Sequence, residues 1–280
     1  MCQPDPGAGG ITEIAGPDVM SDGGPTGVDR LPAAAHRVAQ ATLCDNESGG
    51  PPVDARIVTI VGARAGAGAS TVAANLAVAL ARAGTGPVCL VDLDFTAGDI
   101  ATMFDAEVDE GGVPEAHVAT RLSRGLYAIL APTILGDPGR LPERVVSELL
   151  ASLSTMYAHV VVDAPAAVNK HVLTALEYAH RQVLVTTPER PALRALSRYH
   201  DMLDTLGHDR HLRSVVINRT HPDNGIPTPE IEQAARTPIA AWLPATADVP
   251  HSINTGQPLT AVDPDHPFSH ALQALARHSS

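Results

Sequence analysis

Residues 57–61 read Ile-Val-Thr-Ile-Val, and the chain continues through Gly62-Ala-Arg-Ala-Gly-Ala-Gly-Ala-Ser-Thr71 into a helix-forming stretch over 70–83. Strand, glycine-rich turn, Ser-Thr and helix, in that order, bring successive backbone N–H groups and a helix N-terminus onto one point, a layout that cradles a phosphate. Nothing else in the chain restricts its fold as strongly, because such a turn needs a buried strand before it and a packed helix after it. One position conflicts with the pattern. Loops of this kind place a lysine just before the Ser-Thr pair; here that place holds Ala69, and the only lysine of the chain is Lys170.

The rest of the sequence supplies a matching frame. Short runs rich in Val and Ile recur at 57–61, 88–91, 126–130, 159–162, 182–186, 214–217 and 239–243. They are apolar on both alternating faces, as strands buried between two helical layers must be. Between them lie helix-like segments at 70–83, 141–156, 171–180, 191–206 and 229–235, the first placing Val72, Leu76 and Leu80 on one face and stopping at Gly84. The alternation predicts a three-layer α/β/α domain over 55–280 with a mostly parallel sheet of about seven strands. Its ligand site is expected at the carboxyl ends of the strands. Residues 1–54 are rich in Gly, Pro, Asp and Ser and carry too little apolar surface to offset ordering entropy, so a disordered tail is expected there.

Composition narrows the function. A net charge of −12 repels a phosphate backbone and gives little reason to expect strong DNA or anionic-lipid binding. Cys2, Cys44 and Cys89 are far apart and lack metal spacing, and no long apolar run is present, so a reduced, cytoplasmic setting fits. His208/His211 and His266/His270 have metal-compatible spacing but read better as surface histidines. Arg190, Arg194 and Arg198 recur every four residues, and beside Asp201 and Asp204 they read as a solvated face.

Three acids strengthen the phosphate reading. Val88-Cys-Leu-Val-Asp-Leu-Asp94 ends one strand with two, and His159-Val-Val-Val-Asp-Ala-Pro165 ends another with a third. Any single strand-terminal acid is ordinarily a loop cap. Three above a phosphate loop are where Mg²⁺ and an attacking water need oxygen ligands.

Together these motifs, with Phe95-Thr-Ala-Gly-Asp-Ile-Ala101, Leu184-Val-Thr-Thr-Pro-Glu-Arg-Pro191, Val216-Ile-Asn-Arg219, Leu243-Pro244 and Asn254-Thr-Gly-Gln-Pro-Leu259, resemble the MinD/ParA family of deviant Walker ATPases. Within it the sequence is most similar to the CpaE/TadZ branch, linked to Flp (Tad) pilus assembly and, in actinobacteria, to septum-site-determining homologues. The resemblance covers about 55–277. It implies ATP or ADP with Mg²⁺, held by Gly66, Ala67, Gly68, Ala69, Ser70 and Thr71, with Ser70, Asp92 and Asp163 around the metal. By the same resemblance Asp94 orients the hydrolytic water, Asp163 is the Walker B acid, Asn218 and Arg219 contact the base, and Pro244 lies beside it. Active relatives carry a second lysine near the loop start that reaches across a dimer; here that position is Arg64, which can still donate to an oxyanion.

The resemblance therefore implies weakened nucleotide binding and weak or lost hydrolysis, since a missing charge-assisted phosphate contact costs about 1.5–3 kcal/mol. It further implies a homodimer serving as a localisation scaffold, with a Tad-type secretion ATPase or cell-division and polarity proteins as partners. Recruitment to a pole, septum or inner membrane face would be peripheral or through a partner. A MinD-like regulator of division and a ParA-like DNA segregation factor are the alternatives. The segment 267–277 is short and nearly uncharged, unlike a basic membrane-targeting helix, and is expected to dock on the domain through Phe268, Leu272 and Leu275.

Overall fold

A computed structural model describes residues 55–95, 98–107, 119–131, 143–223 and 225–279. The segment 1–54, for which disorder was expected, lies outside the described residues. The strands are β1 (Arg56–Gly62), β2 (Val88–Asp92), β3 (Thr120–Ser123), β4 (Leu126–Ile129), β5 (His159–Ala164), β6 (Arg181–Thr186), β7 (Arg213–Thr220) and β8 (Ile239–Pro244). The helices are α1 (Ala69–Ala83), α2 (Asp99–Met103), α3 (Glu143–Ser154), α4 (Lys170–Glu177), α5 (Arg190–Thr205), α6 (Thr228–Ala235), α7 (Asp248–Asn254), α8 (Leu259–Val262) and α9 (Pro267–Ser279).

One sheet of eight strands runs in the order β3-β4-β2-β5-β1-β6-β7-β8. All neighbouring pairs are parallel except β3 with β4. This is the mostly parallel sheet of about seven strands that the sequence led one to expect, with one strand beyond the seven apolar runs. The strand that the apolar pattern missed is β3, Thr-Arg-Leu-Ser, which is exposed at three of its four residues and carries no buried run.

Both faces of the sheet are covered. On one, α1, α2, α8 and α9 enclose a core that includes Val58, Ile60, Leu90 and Val216. On the other, α3 and α4 cover Ile57, Val91 and Val162, while α5 and α6 cover Val61, Leu184, Val215 and Ile217. Alternate residues of β1 thus enter opposite cores, which is why its sequence is apolar throughout.

Helix α1 is buried without a break from Thr71 to Leu80 and ends where Gly84 turns left-handed at φ 71° and donates its N–H to the Ala81 carbonyl. Helix α9 packs on α1 through Phe268, Leu272 and Leu275, all fully or almost fully buried, as the sequence suggested. Its end is tied back by Arg181, whose Nη1 donates to the His278 carbonyl at 2.7 Å. No helix among the described residues is long and apolar enough to cross a membrane.

Candidate phosphate-binding site

The strand order decides what meets at the centre. β1 lies between β5 and β6, so the turn leaving β1 emerges over the middle of the sheet, flanked by the ends of β5 and β2 on one side and of β7 beyond β6 on the other. Gly66 and Gly68 hold φ of 78° and 93°, left-handed values that glycine adopts without a Cβ penalty. Gly68 stands immediately before α1, so Ala69 is the first helical residue and Ser70 and Thr71 complete the first turn. The unbonded N–H groups of that turn and the helix dipole present a positive end to an anion.

The loop is pinned from a distant strand. Asn218, near the end of β7 and 5% exposed, donates from Nδ2 to the Ala67 carbonyl at 2.9 Å, and its Oδ1 accepts the Arg219 N–H at 2.9 Å. A Cβ at residue 68 would sit 2.3 Å from Asn218 Nδ2, so the glycine and the asparagine are matched in shape as well as in hydrogen bonding. Sequence reasoning gave Asn218 a base-contacting role only; its grip on the loop spans about 150 residues of chain and leaves no local signal.

Asp92 and Asp163 are register partners on adjacent parallel strands, and both are 2% exposed. Asp92 Oδ1 accepts the Asp94 N–H at 2.9 Å, and Asp163 is hydrogen-bonded to the Ser70 side chain. Burial, opposed by that N–H and reinforced by the Asp94 charge, pushes the Asp92 carboxyl up to about 7. Burial first, then the Asp92 charge, pushes Asp163 well above the usual carboxylate range, with Ser70 opposing. Asp92 Oδ2 and Asp163 Oδ1 have no hydrogen-bond partner among the described residues. Two orphaned carboxylate oxygens and a hydroxyl, all beside a phosphate cradle, fit a hard divalent cation such as Mg²⁺. Asp94 stands at the same strand end, half-buried.

The remaining residues surround this centre at greater remove. Arg64 is exposed and shares a surface depression with Gly66, Thr187, Glu189 and Arg219; Thr187 donates its hydroxyl to Glu189 there. Arg219 itself holds a left-handed φ of 56°. Pro244 closes β8 beyond β7, where Thr220 donates to the Leu243 carbonyl at 2.9 Å and accepts the Ala245 N–H on its own carbonyl at 2.9 Å. Lys170 is exposed at the first position of α4.

Comparison with known proteins agrees with this fold. The ParA family model, described as NUBPL iron-transfer P-loop NTPase, matches residues 54–279. A septum site-determining protein MinD of Thermotoga maritima is 27% identical over 223 residues, covering 73% of this chain and 80% of that protein. The MinD of Synechocystis sp. is 26% identical over 238 residues, covering 79% and 88%. Among solved structures, MinD of Pyrococcus horikoshii OT3 complexed with Mg-ADP has a TM-score of 0.69 at 22% identity, over 80% of this chain and 95% of that one. A ParA family ATPase from Chlorobium tepidum TLS gives 0.71 at 24% identity, over 80% and 99%. The family match over 54–279, together with the shared three-layer sheet, shows that the chain belongs to the MinD/ParA family of P-loop NTPases.

Proposed function

We propose that the chain is a spatial positioning protein of the CpaE/TadZ kind, which binds ATP or ADP with Mg²⁺ at reduced affinity and hydrolyses it slowly or not at all. One observation carries the reading: the backbone cradle is complete, yet the residue between Gly68 and Ser70 is Ala69, whose methyl offers phosphate nothing beyond its own N–H. A bound Mg²⁺ would neutralise phosphate charge. The chain's own groups divide the rest. The turn's N–H groups hold the phosphates, Ser70, Asp92 and Asp163 hold the metal, Asp94 orients water, and Arg64 faces outward to a second copy in a dimer. Without the lysine, the charge that grows on the phosphates during transfer lacks its principal partner.

In this reading nucleotide sets dimer geometry, and the dimer places a partner such as a Tad-type secretion ATPase at a pole, septum or inner membrane face, from the cytoplasm. Cluster transfer, the theme of the family description, is less favoured. Iron–sulfur clusters need thiolate ligands; Cys2, Cys44 and Cys89 lie far apart in the sequence without ligand spacing, and Cys89 is fully buried with its thiol pushed up by desolvation. A second reading, a MinD-type division regulator with real turnover, is favoured by the MinD relatives at 26–27% identity.

Isothermal titration with Mg-ATP and a turnover assay separate the two. Positioning predicts weak binding, little turnover, and a roughly ten- to hundred-fold gain in affinity for Ala69→Lys, the equivalent of about 1.5–3 kcal/mol. Micromolar binding with brisk turnover in the unaltered protein, little changed by Ala69→Lys, overturns positioning in favour of the MinD-type reading. A low-salt DNA gel shift tests the ParA-like alternative.

A further inference from the structure

Helices α5 and α6 lie side by side over β6 and β7, and the groove between them is floored by Leu193 and Ala234 and rimmed by Arg190, Arg194, Arg198 and Arg236. The arginine stripe along α5 therefore does not face open solvent alone; Arg236, from the end of α6, joins it. Arg190 pairs with Glu230 at 3.3 Å, and Arg236 pairs with Asp201. Arg194 and Arg198 are exposed and make no ion pair among the described residues. In a chain of net charge −12, two unpaired guanidinium groups above an apolar floor call for an acidic, partly apolar occupant.

The chain carries such a segment. Asp5, Glu13, Asp18, Asp22 and Asp29 all precede the first basic residue, Arg30. Within 13–22, Glu-Ile-Ala-Gly-Pro-Asp-Val-Met-Ser-Asp, three acids are interspersed with Ile14, Val19 and Met20 and no basic residue is present. We infer that residues 13–22 dock in the α5–α6 groove, their carboxylates on Arg194 and Arg198 and their apolar side chains on Leu193 and Ala234. Reach poses no obstacle. The segment joins the domain at β1, two strands from β7, a lateral offset of about 10 Å, whereas the connecting residues 23–54 could extend to about 100 Å. Tethering supplies an effective concentration on the order of millimolar, so a contact too weak to form between separate molecules is populated within one.

The full chain offers its own probe. Trp242 is the one tryptophan, 37% exposed, and it is registered with Ile217, whose side chain lies in the core beneath α5 and α6. With Cys44→Ser in place and Cys89 fully buried, a thiol-reactive energy acceptor attaches at Cys2. Transfer from Trp242 is expected to fall at least about two-fold between 0.05 and 1 M salt, as the Debye length shrinks from over 10 Å to about 3 Å. The paired substitution Arg194→Glu/Arg198→Glu, on exposed positions that leave the core intact, is expected to lower transfer equally at low salt. So is Glu13→Gln/Asp18→Asn/Asp22→Asn, and combining the arginine reversals with Glu13→Lys/Asp18→Lys/Asp22→Lys is expected to restore it. Transfer indifferent to salt and to both sets of substitutions overturns the inference. Duplex DNA binding that is lost with the arginine reversals, while neutralising the acids leaves transfer unchanged, overturns it too and assigns the groove to nucleic acid.

Discussion

Replacing Asn218 tests the pinned loop directly. Its Nδ2 donates to an Ala67 carbonyl for which no backbone N–H serves as partner among the described residues, and both residues are almost wholly buried. Asn218→Ala removes the donor and strands that carbonyl, which costs about 1–3 kcal/mol. Asn218→Asp keeps an acceptor for the Arg219 N–H but turns a carboxylate oxygen toward the Ala67 carbonyl at a spacing of about 3 Å, adding repulsion and a buried charge. At pH 8 the aspartate variant should therefore be the less stable of the two. The order follows from linkage. Burial raises the folded-state pKa of the new carboxyl above its unfolded value near 3.9, so its contribution is retained at low pH and lost as pH rises through the folded value. Toward pH 4–5 the acid protonates, can donate to Ala67 again, and should close the gap to the alanine variant. Urea unfolding followed by circular dichroism at several pH values, with m unchanged, reads these differences. An Asn218→Asp protein as stable as the parent at pH 8, or an Asn218→Ala protein within about 0.5 kcal/mol of it, refutes the pin.

Other outcomes follow from the same structure. Asp92, held up to about 7 by burial, disfavours the metal-free fold as pH rises from 3.8 through 7, so Asp92→Asn should stabilise that form at pH 8 by up to about 4 kcal/mol and much less at pH 4, by thermal unfolding in chelator. His200 moves the opposite way: burial, then Arg213 and Arg236, pull it from 6.5 to about 4, so its neutral form is favoured in the fold and stability drains away as pH falls through that window. The stability of the parent relative to His200→Gln should drop by up to about 3 kcal/mol between pH 6.5 and 4, measured as a difference so that the acids cancel. Phe268→Ala, emptying a site 1% exposed between α9 and α1, should cost about 3–5 kcal/mol in urea unfolding.

What the sequence disclosed and what it hid divide along physical lines. Central strands such as β1 and β5 are buried on both faces, so their apolar runs were plain, and the acids ending β2 and β5 were conspicuous against them. β3 was invisible because an exposed edge strand of four residues has no apolar periodicity to find. α7 and α8, of seven and four residues, are too short for a helical period to emerge. The register that sets Asp92 beside Asp163 is a property of strand order, and neither the Asn218 bond to Ala67 nor the arrival of Arg236 beside Arg194 and Arg198 can be read from residues so far apart along the chain. The Arg stripe read as a solvated face, and Arg190, Arg194 and Arg198 are indeed exposed; the wall that Arg236 adds was not legible.

Helix α1 is sheathed by sheet, α8 and α9 for ten consecutive residues, and Asn75 within it accepts the Thr260 N–H at 2.8 Å. The turn ahead of it is thus mounted on a helix held on all sides by packing. An incoming triphosphate would find its receptor already shaped, spending little of its contact energy on ordering the chain. A feeble dissociation constant here would then report missing chemistry and not missing order, and installing one cation should recover affinity without remodelling anything around it.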